Sequence, residues 1–178
     1  MDPNNKKILI SATVIISYLL YKFGLSEYTY TKSEYDNLNK KNLVEPPLRG
    51  NLKLTSPFGY RSFKGIEFHN GIDLVFKKKN VNGDPIYAPL NGTISANYFN
   101  DRGGFQLVLD SGYAKFGFAH LYKRSAFNIG SKIKKGQIIG YVGNTGTSTG
   151  SHLHFTLRLN NILVDPILNI RSLKNAIS

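Results

Sequence analysis

The stretch QIIGYVGNTGTSTGSHLHFTLRL, residues 137–159, decides how this chain is read. Two runs of strand composition, Gln137 to Val142 and His152 to Leu159, flank a segment of glycines and small hydroxyl residues that forms a compact turn between them. In the second run His152 and His154 stand two apart. Positions i and i+2 of a strand share a face at a spacing of about 7 Å, so both imidazoles can enter one cleft while Leu153 and Phe155 face a core. A phosphate-binding loop is the rival reading of these glycines, but its lysine and helix start are missing.

The same punctuation runs outward through residues 51–169. Glycine and asparagine turn signals such as Asn70-Gly71, Asn91-Gly92 and Gly103-Gly104 separate further short runs, among them Thr93 to Phe99, Phe105 to Leu109 and Tyr113 to Ala119. Short strands with regular turn signals predict an all-β domain, mostly antiparallel and sandwich- or barrel-like. No long amphipathic helix pattern competes with it. The stretch from Pro166 to Ser178 has room for one short helix, and residues 170–178 are expected as a C-terminal tail.

The chain has 178 residues, of which 41% are hydrophobic, enough for one cored domain with some extra chain. It contains no cysteine, which excludes disulfides, thiol nucleophiles and thiolate metal sites. Any metal must therefore use nitrogen and oxygen ligands. The net charge of +12 favours anionic partners. The basic residues are not interleaved with aromatics as in a nucleic-acid stacking platform; they are expected first as solvated loops and strand faces, with attraction to an anionic envelope polymer or lipid headgroups as the alternative.

Residues 8–21, ILISATVIISYLLY, carry no charge, follow Lys6 and Lys7, and extend to Leu25 if Lys22 snorkels. Eighteen residues of helix reach about 27 Å, close to the ~30 Å hydrocarbon core of a bilayer. Residues 1–25 are accordingly expected to be a single-pass membrane anchor. No small-residue cleavage pattern follows it, and the preceding lysines place the remainder of the chain outside the cytoplasm. Residues 26–50 are polar and end in Pro46-Pro47, which predicts a flexible stalk; within it Ser33 with Asp36 is a possible helix cap.

All four histidines fall where chemistry can use them. His69 and Asp73 lie four apart, about 13 Å on a straight strand, so they can share an ion only if the chain bends between them, and Asn70-Gly71 supplies the bend. His120 sits in an apolar run, Phe116 to Leu121, where a titratable ring needs a reason. Spacing alone does not say which of His152 and His154 would be a metal ligand.

Taken together, Ser56-Pro-Phe-Gly-Tyr-Arg61, His69-Asn-Gly-Ile-Asp73, Gly83 to Gly92, Ala119-His-Leu121 and the run from Lys134 to Phe155 resemble the zinc metallopeptidases of the LytM/lysostaphin type, peptidase family M23. The resemblance implies one zinc ion held by His69, Asp73 and His154, with His120 and His152 as a catalytic pair moving protons. It implies an endopeptidase acting on peptidoglycan stem peptides or cross-bridges, with an inactive wall-binding or hydrolase-activating module as the alternative. The chain departs from the family pattern at Phe118, where a hydroxylated aromatic is common, at Thr156, where an acidic residue is frequent, and in Val108 to Asp110, which lacks a frequent histidine.

Overall fold

A computed structural model describes residues 29–62, 66–77 and 80–177. The membrane anchor expected over residues 1–25 lies outside the described residues; among those described, no helix is long and apolar enough to cross a membrane. The order of elements is α1 (Lys32–Lys40), β1 (Leu52–Ser56), β2 (Gly59–Ser62), β3 (Ile66–His69), β4 (Ile72–Phe76), β5 (Pro85–Tyr87), β6 (Gly92–Asn100), β7 (Gly104–Asp110), β8 (Ala114–Leu121), β9 (Lys132–Ile133), β10 (Ile138–Tyr141), β11 (Leu153–Leu159), β12 (Ile162–Val164), α2 (Pro166–Asn169) and α3 (Arg171–Ala176).

The β-rich, antiparallel expectation holds. One eight-stranded sheet runs β1-β4-β11-β8-β7-β6-β9, with β12 beside the distal half of β11, and two-stranded sheets pair β10 with β5 and β2 with β3. The one large sheet carries most of the strands. Its inner face buries Ile72, Leu74, Phe116, Phe118, Leu153, Phe155 and Leu157 in a single cluster with Ile86, Leu90, Ile139 and Val142 from β5, β10 and their connections. Alternation along β11 is strict: Leu153, Phe155 and Leu157 are buried, while His154, Thr156 and Arg158 face the other way.

Residues 30–50 differ from the flexible stalk expected of them. Tyr35, Val44 and Leu48 are fully buried members of the same core cluster. Helix α1 is capped by Thr31 with Glu34, whose side chains and backbone amides bond reciprocally, and not by Ser33 with Asp36. Tyr30 bridges to Gly112 beside the β7–β8 turn.

The C-terminal segment likewise packs down, as two short helices in place of one and a tail. Ile170 and Leu173 are buried, Tyr35 Oη donates to Asn169 O at 3.0 Å, and Asn39 Nδ2 donates to the same carbonyl at 2.9 Å. Mean composition hides this clamp, because a few apolar residues in a polar stretch suffice to dock it.

Removing the clamp should cost stability. Tyr35→Ala is expected to lower the unfolding free energy by about 3 kcal/mol, in the range for deleting a large buried side chain. A fragment 51–177 should unfold at lower urea concentration than a fragment 29–177; coincident midpoints would show that residues 29–50 only rest on the surface.

Candidate metal centre

Three strands deliver the three groups that can hold a metal. His69 ends β3, Asp73 is the second residue of β4, and His154 the second of β11. His154 and Asp73 are direct cross-strand partners in the β11–β4 ladder, so their side chains rise side by side from the outer face. His69 arrives by the bend at Asn70-Gly71 between β3 and β4. Gly71 has to be glycine: a Cβ there would lie 2.6 Å from Phe155 O and 2.9 Å from the His154 ring.

The donor atoms converge tightly. His69 Nε2 is 3.0 Å from His154 Nδ1, His154 Nδ1 is 2.9 Å from Asp73 Oδ1, and His69 Nε2 is 3.2 Å from Asp73 Oδ1. Among the described residues these three form the group of His and acidic side chains with metal-holding geometry.

Backbone and side-chain acceptors assign the tautomers. A carbonyl oxygen can only accept, so His69 Nδ1 donates to Pro57 O at 2.7 Å and leaves Nε2 bare. His154 Nε2 donates to Asn70 Oδ1 at 3.0 Å and leaves Nδ1 bare. Two lone pairs and a carboxylate oxygen thus point at one spot, an arrangement that electrostatics permits only with a cation or a shared proton between them. Burial would raise the Asp73 pKa, but its close contacts with the His154 and His69 rings and the electrostatic influence of His152 and His69 outweigh it and hold the carboxyl well below the usual carboxylate range. Arg61 supports the cluster from behind, its Nη1 donating to Ser56 Oγ at 2.6 Å and standing 3.8 Å from Asp73 Oδ2.

His120 and His152 stand beside this cluster with their ring centroids 4.7 Å apart. His152 Nδ1 donates to Gly150 O at 2.8 Å, and its Nε2 is 3.6 Å from Asp73 Oδ1. His120 Nδ1 donates to Thr145 O at 2.8 Å. In both rings Nε2 is the nitrogen left for other work. Burial is the largest influence on His120 and lowers its pKa; the bond to Thr145 and the Asp73 charge work against it, while His152 and His154 add to the lowering.

A bulge aims His120. Opposite β7 the register passes from Phe105↔Leu121 to Leu107↔Phe118, so Ala119 and His120 together face one residue. His120 takes the extra place with φ of 59°, and Leu121 returns to the core. The structure therefore brings all five residues singled out in the sequence into one site. Asn70, Thr145, Arg61 and Ser56 join them as supports; Asn70 and Thr145 act through histidines distant in sequence, so spacing gave no means of finding them.

Asn70 offers a direct check. Asn70→Leu removes the acceptor that fixes the His154 tautomer and should weaken metal affinity by roughly 10- to 100-fold, as losses of such outer partners do, while Asn70→Asp should retain it. Competition against a chelating dye measures this, and equal affinity in Asn70→Leu would refute the orienting role.

The sequence matches the model of "Peptidase family M23" over residues 67–166. The DD-carboxypeptidase/endopeptidase Mpg of Neisseria meningitidis is 33% identical over 122 residues, an alignment covering 65% of this chain and 26% of Mpg. Among solved structures, the catalytic domain of the antimicrobial peptidase lysostaphin from Staphylococcus simulans is 30% identical with a TM-score of 0.58, covering 68% of this chain and 94% of that one. A zinc-containing peptidase from Vibrio cholerae is 29% identical with a TM-score of 0.58, covering 67% of this chain and 37% of that one. The chain spans about a quarter of the length of Mpg. With its family match lying over the strands that build the His69, Asp73 and His154 cluster, this chain belongs to peptidase family M23.

Proposed function

We propose that this protein is a zinc-dependent endopeptidase that hydrolyses peptide bonds in the stem peptides or cross-bridges of peptidoglycan. The observation that carries the proposal is the convergence of two bare imidazole nitrogens and one carboxylate oxygen within 3.2 Å of one another. Tetrahedral ligands about 2.0 to 2.1 Å from a zinc ion stand roughly 3.3 Å apart, so the donor set fits that ion in both chemistry and spacing. His69, Asp73 and His154 would hold it, three protein ligands as in catalytic zinc sites, which keep a position open. Zinc bound there supplies a water acidified toward neutral pH and polarises a carbonyl oxygen.

The chain's own contribution is proton handling. His120 and His152 present Nε2 atoms beside the cluster, each ring held by a carbonyl on Nδ1. One takes the proton of the attacking water and one delivers a proton to the departing amine, the general acid and base work that imidazole side chains most often perform. The low His120 pKa favours a neutral ring ready to accept. The name of one relative, the peptidoglycan DD-endopeptidase ShyC of Vibrio cholerae, supports the wall peptide as substrate.

We further propose that residues 1–25 anchor the domain to the outer face of a membrane. The folded segment 30–50 shortens the tether to the step from Leu25 to Tyr30, at most about 18 Å of extended chain. Such a domain works close to the membrane surface.

Incubating the full chain with purified peptidoglycan should release new amino groups, and mass spectrometry of the fragments identifies the bond. His154→Ala should lose both metal and turnover; His120→Ala should keep the metal and lose turnover by at least 100-fold. Metal-free, inactive wild-type protein would favour the wall-binding module instead. In cell fractionation the full chain should sediment with membranes and a chain beginning at Ser26 should not.

A further inference from the structure

The outer face of the sheet continues past the metal cluster into a groove of about 330 Å3 lined by Val108, Lys115, Gly117, Thr156, Arg158 and Asn161. Strand register makes the two continuous. Along β11 the outward residues are His154, Thr156 and Arg158, and their partners on β8 are Ala119, Gly117 and Lys115. The floor next to the cluster is therefore kept low by Ala119 and Gly117. A Cβ at Gly117 would lie 2.3 Å from Thr156 Oγ1, so a side chain there would first have to turn the threonine hydroxyl aside.

The far end is different. Arg158 and Lys115 are direct cross-strand partners, two like charges in a position that normally costs stability. One carboxylate answers them: Lys115 Nζ is 3.1 Å from Asp110 Oδ2. Asp110 also accepts from Gly112 N through Oδ1. Arg158 Nη1 donates to the backbone oxygen of Asn161 at 3.1 Å, and its side chain meets no carboxylate in any described ion pair. Two cations against one anion leave the end of the groove with a net positive charge. Arg158 lies four positions along the strand from His154, about 13 Å, which is the reach of three or four residues of an extended peptide.

We propose that this groove is a specificity subsite in which Arg158 and Lys115 receive a carboxylate of the peptide substrate, while the substrate backbone passes over Gly117 and Ala119. The proposal rests on the peptidase reading of the metal cluster. It adds a preference for peptides bearing a free carboxylate three or four residues from the bond that is cut. An acidic side chain or a chain-terminal carboxylate satisfies the geometry equally, and arginine is suited to grip either one bidentately. A phosphate-bearing wall polymer is the competing ligand for such a charge.

Fluorescently labelled peptidoglycan fragments with their carboxylates either free or converted to carboxamides separate these cases. The full-length chain should bind the free form at least about tenfold more tightly by anisotropy, in line with a hydrogen-bonded charge. Arg158→Gln and Lys115→Gln should each collapse that ratio toward one without changing zinc content, and Arg158→Glu should invert it. Equal binding of the two forms by the wild type, or a ratio untouched by Arg158→Glu, overturns the proposal; binding set by phosphate-bearing polymer and indifferent to amidation does so as well. Hydrolysis of the same fragments is scored separately. Failure to cleave either form counts against the peptidase reading, whereas cleavage of both forms at equal kcat/KM counts against the subsite alone.

Discussion

His154 and Asp73 face each other across two antiparallel strands, and the remaining geometry depends on that register. Side chains alternate between faces along a strand, so a slip of one residue would turn His154 into the core and bring Leu153 or Phe155 to the surface. The buried triplet Leu153, Phe155 and Leu157 prevents this. Core packing and ligand placement are thus one constraint: the apolar residues that hold β11 between β4 and β8 also fix where the imidazole rises. Polar convergence in the site costs little extra precision, because burial on the opposite face has already set it.

The one element that breaks alternation is β8. A regular strand would place Phe116, Phe118 and His120 on the core face. The bulge inserts a residue, rotates His120 to the outer face and returns Leu121 to the core. A left-handed backbone at a residue other than glycine costs about 1 to 2 kcal/mol. Thr145 offsets the cost by tying the region together: its carbonyl accepts from His120 Nδ1, its hydroxyl donates to Leu121 O at 2.7 Å and accepts from Phe105 N at 3.1 Å. The glycine-rich connection before β11 therefore does more than approach the strand, since it holds the ring of a histidine on a different strand.

Much of this was legible in the sequence and part of it was not, for physical reasons. Turn signals and period-two alternation are local, and they placed β6, β7 and β11 within a residue of their bounds. The bend between His69 and Asp73 followed from strand length arithmetic. By contrast, the strand signal of Tyr113 to Ala119 stops short of His120, where the strand runs on to Leu121, since a bulge has no local signature in an apolar run. The segment 26–50 read as a stalk because its polar majority concealed Tyr35, Val44 and Leu48, whose partners lie in the C-terminal segment and the core. Asn70 looked like half of a turn dipeptide. Its second role, accepting from His154, depends on a strand that follows more than eighty residues later.

The division of labour proposed for the four histidines also has a geometric basis. Each ring has one nitrogen committed to an oxygen acceptor, so each has one nitrogen to offer. For His69 and His154 the free nitrogens meet at Asp73 Oδ1, at 3.2 Å and 2.9 Å. For His152 the free nitrogen stands farther off, at 3.6 Å, and the His120 ring lies 6.0 Å from that of His154. Those two rings instead lie against each other, close enough that charging one opposes charging the second. A pair that resists double protonation keeps one member free to accept a proton. Under the proposed peptidase reading that pair would supply an acid and a base beside the metal cluster, each ring held in place by one carbonyl contact.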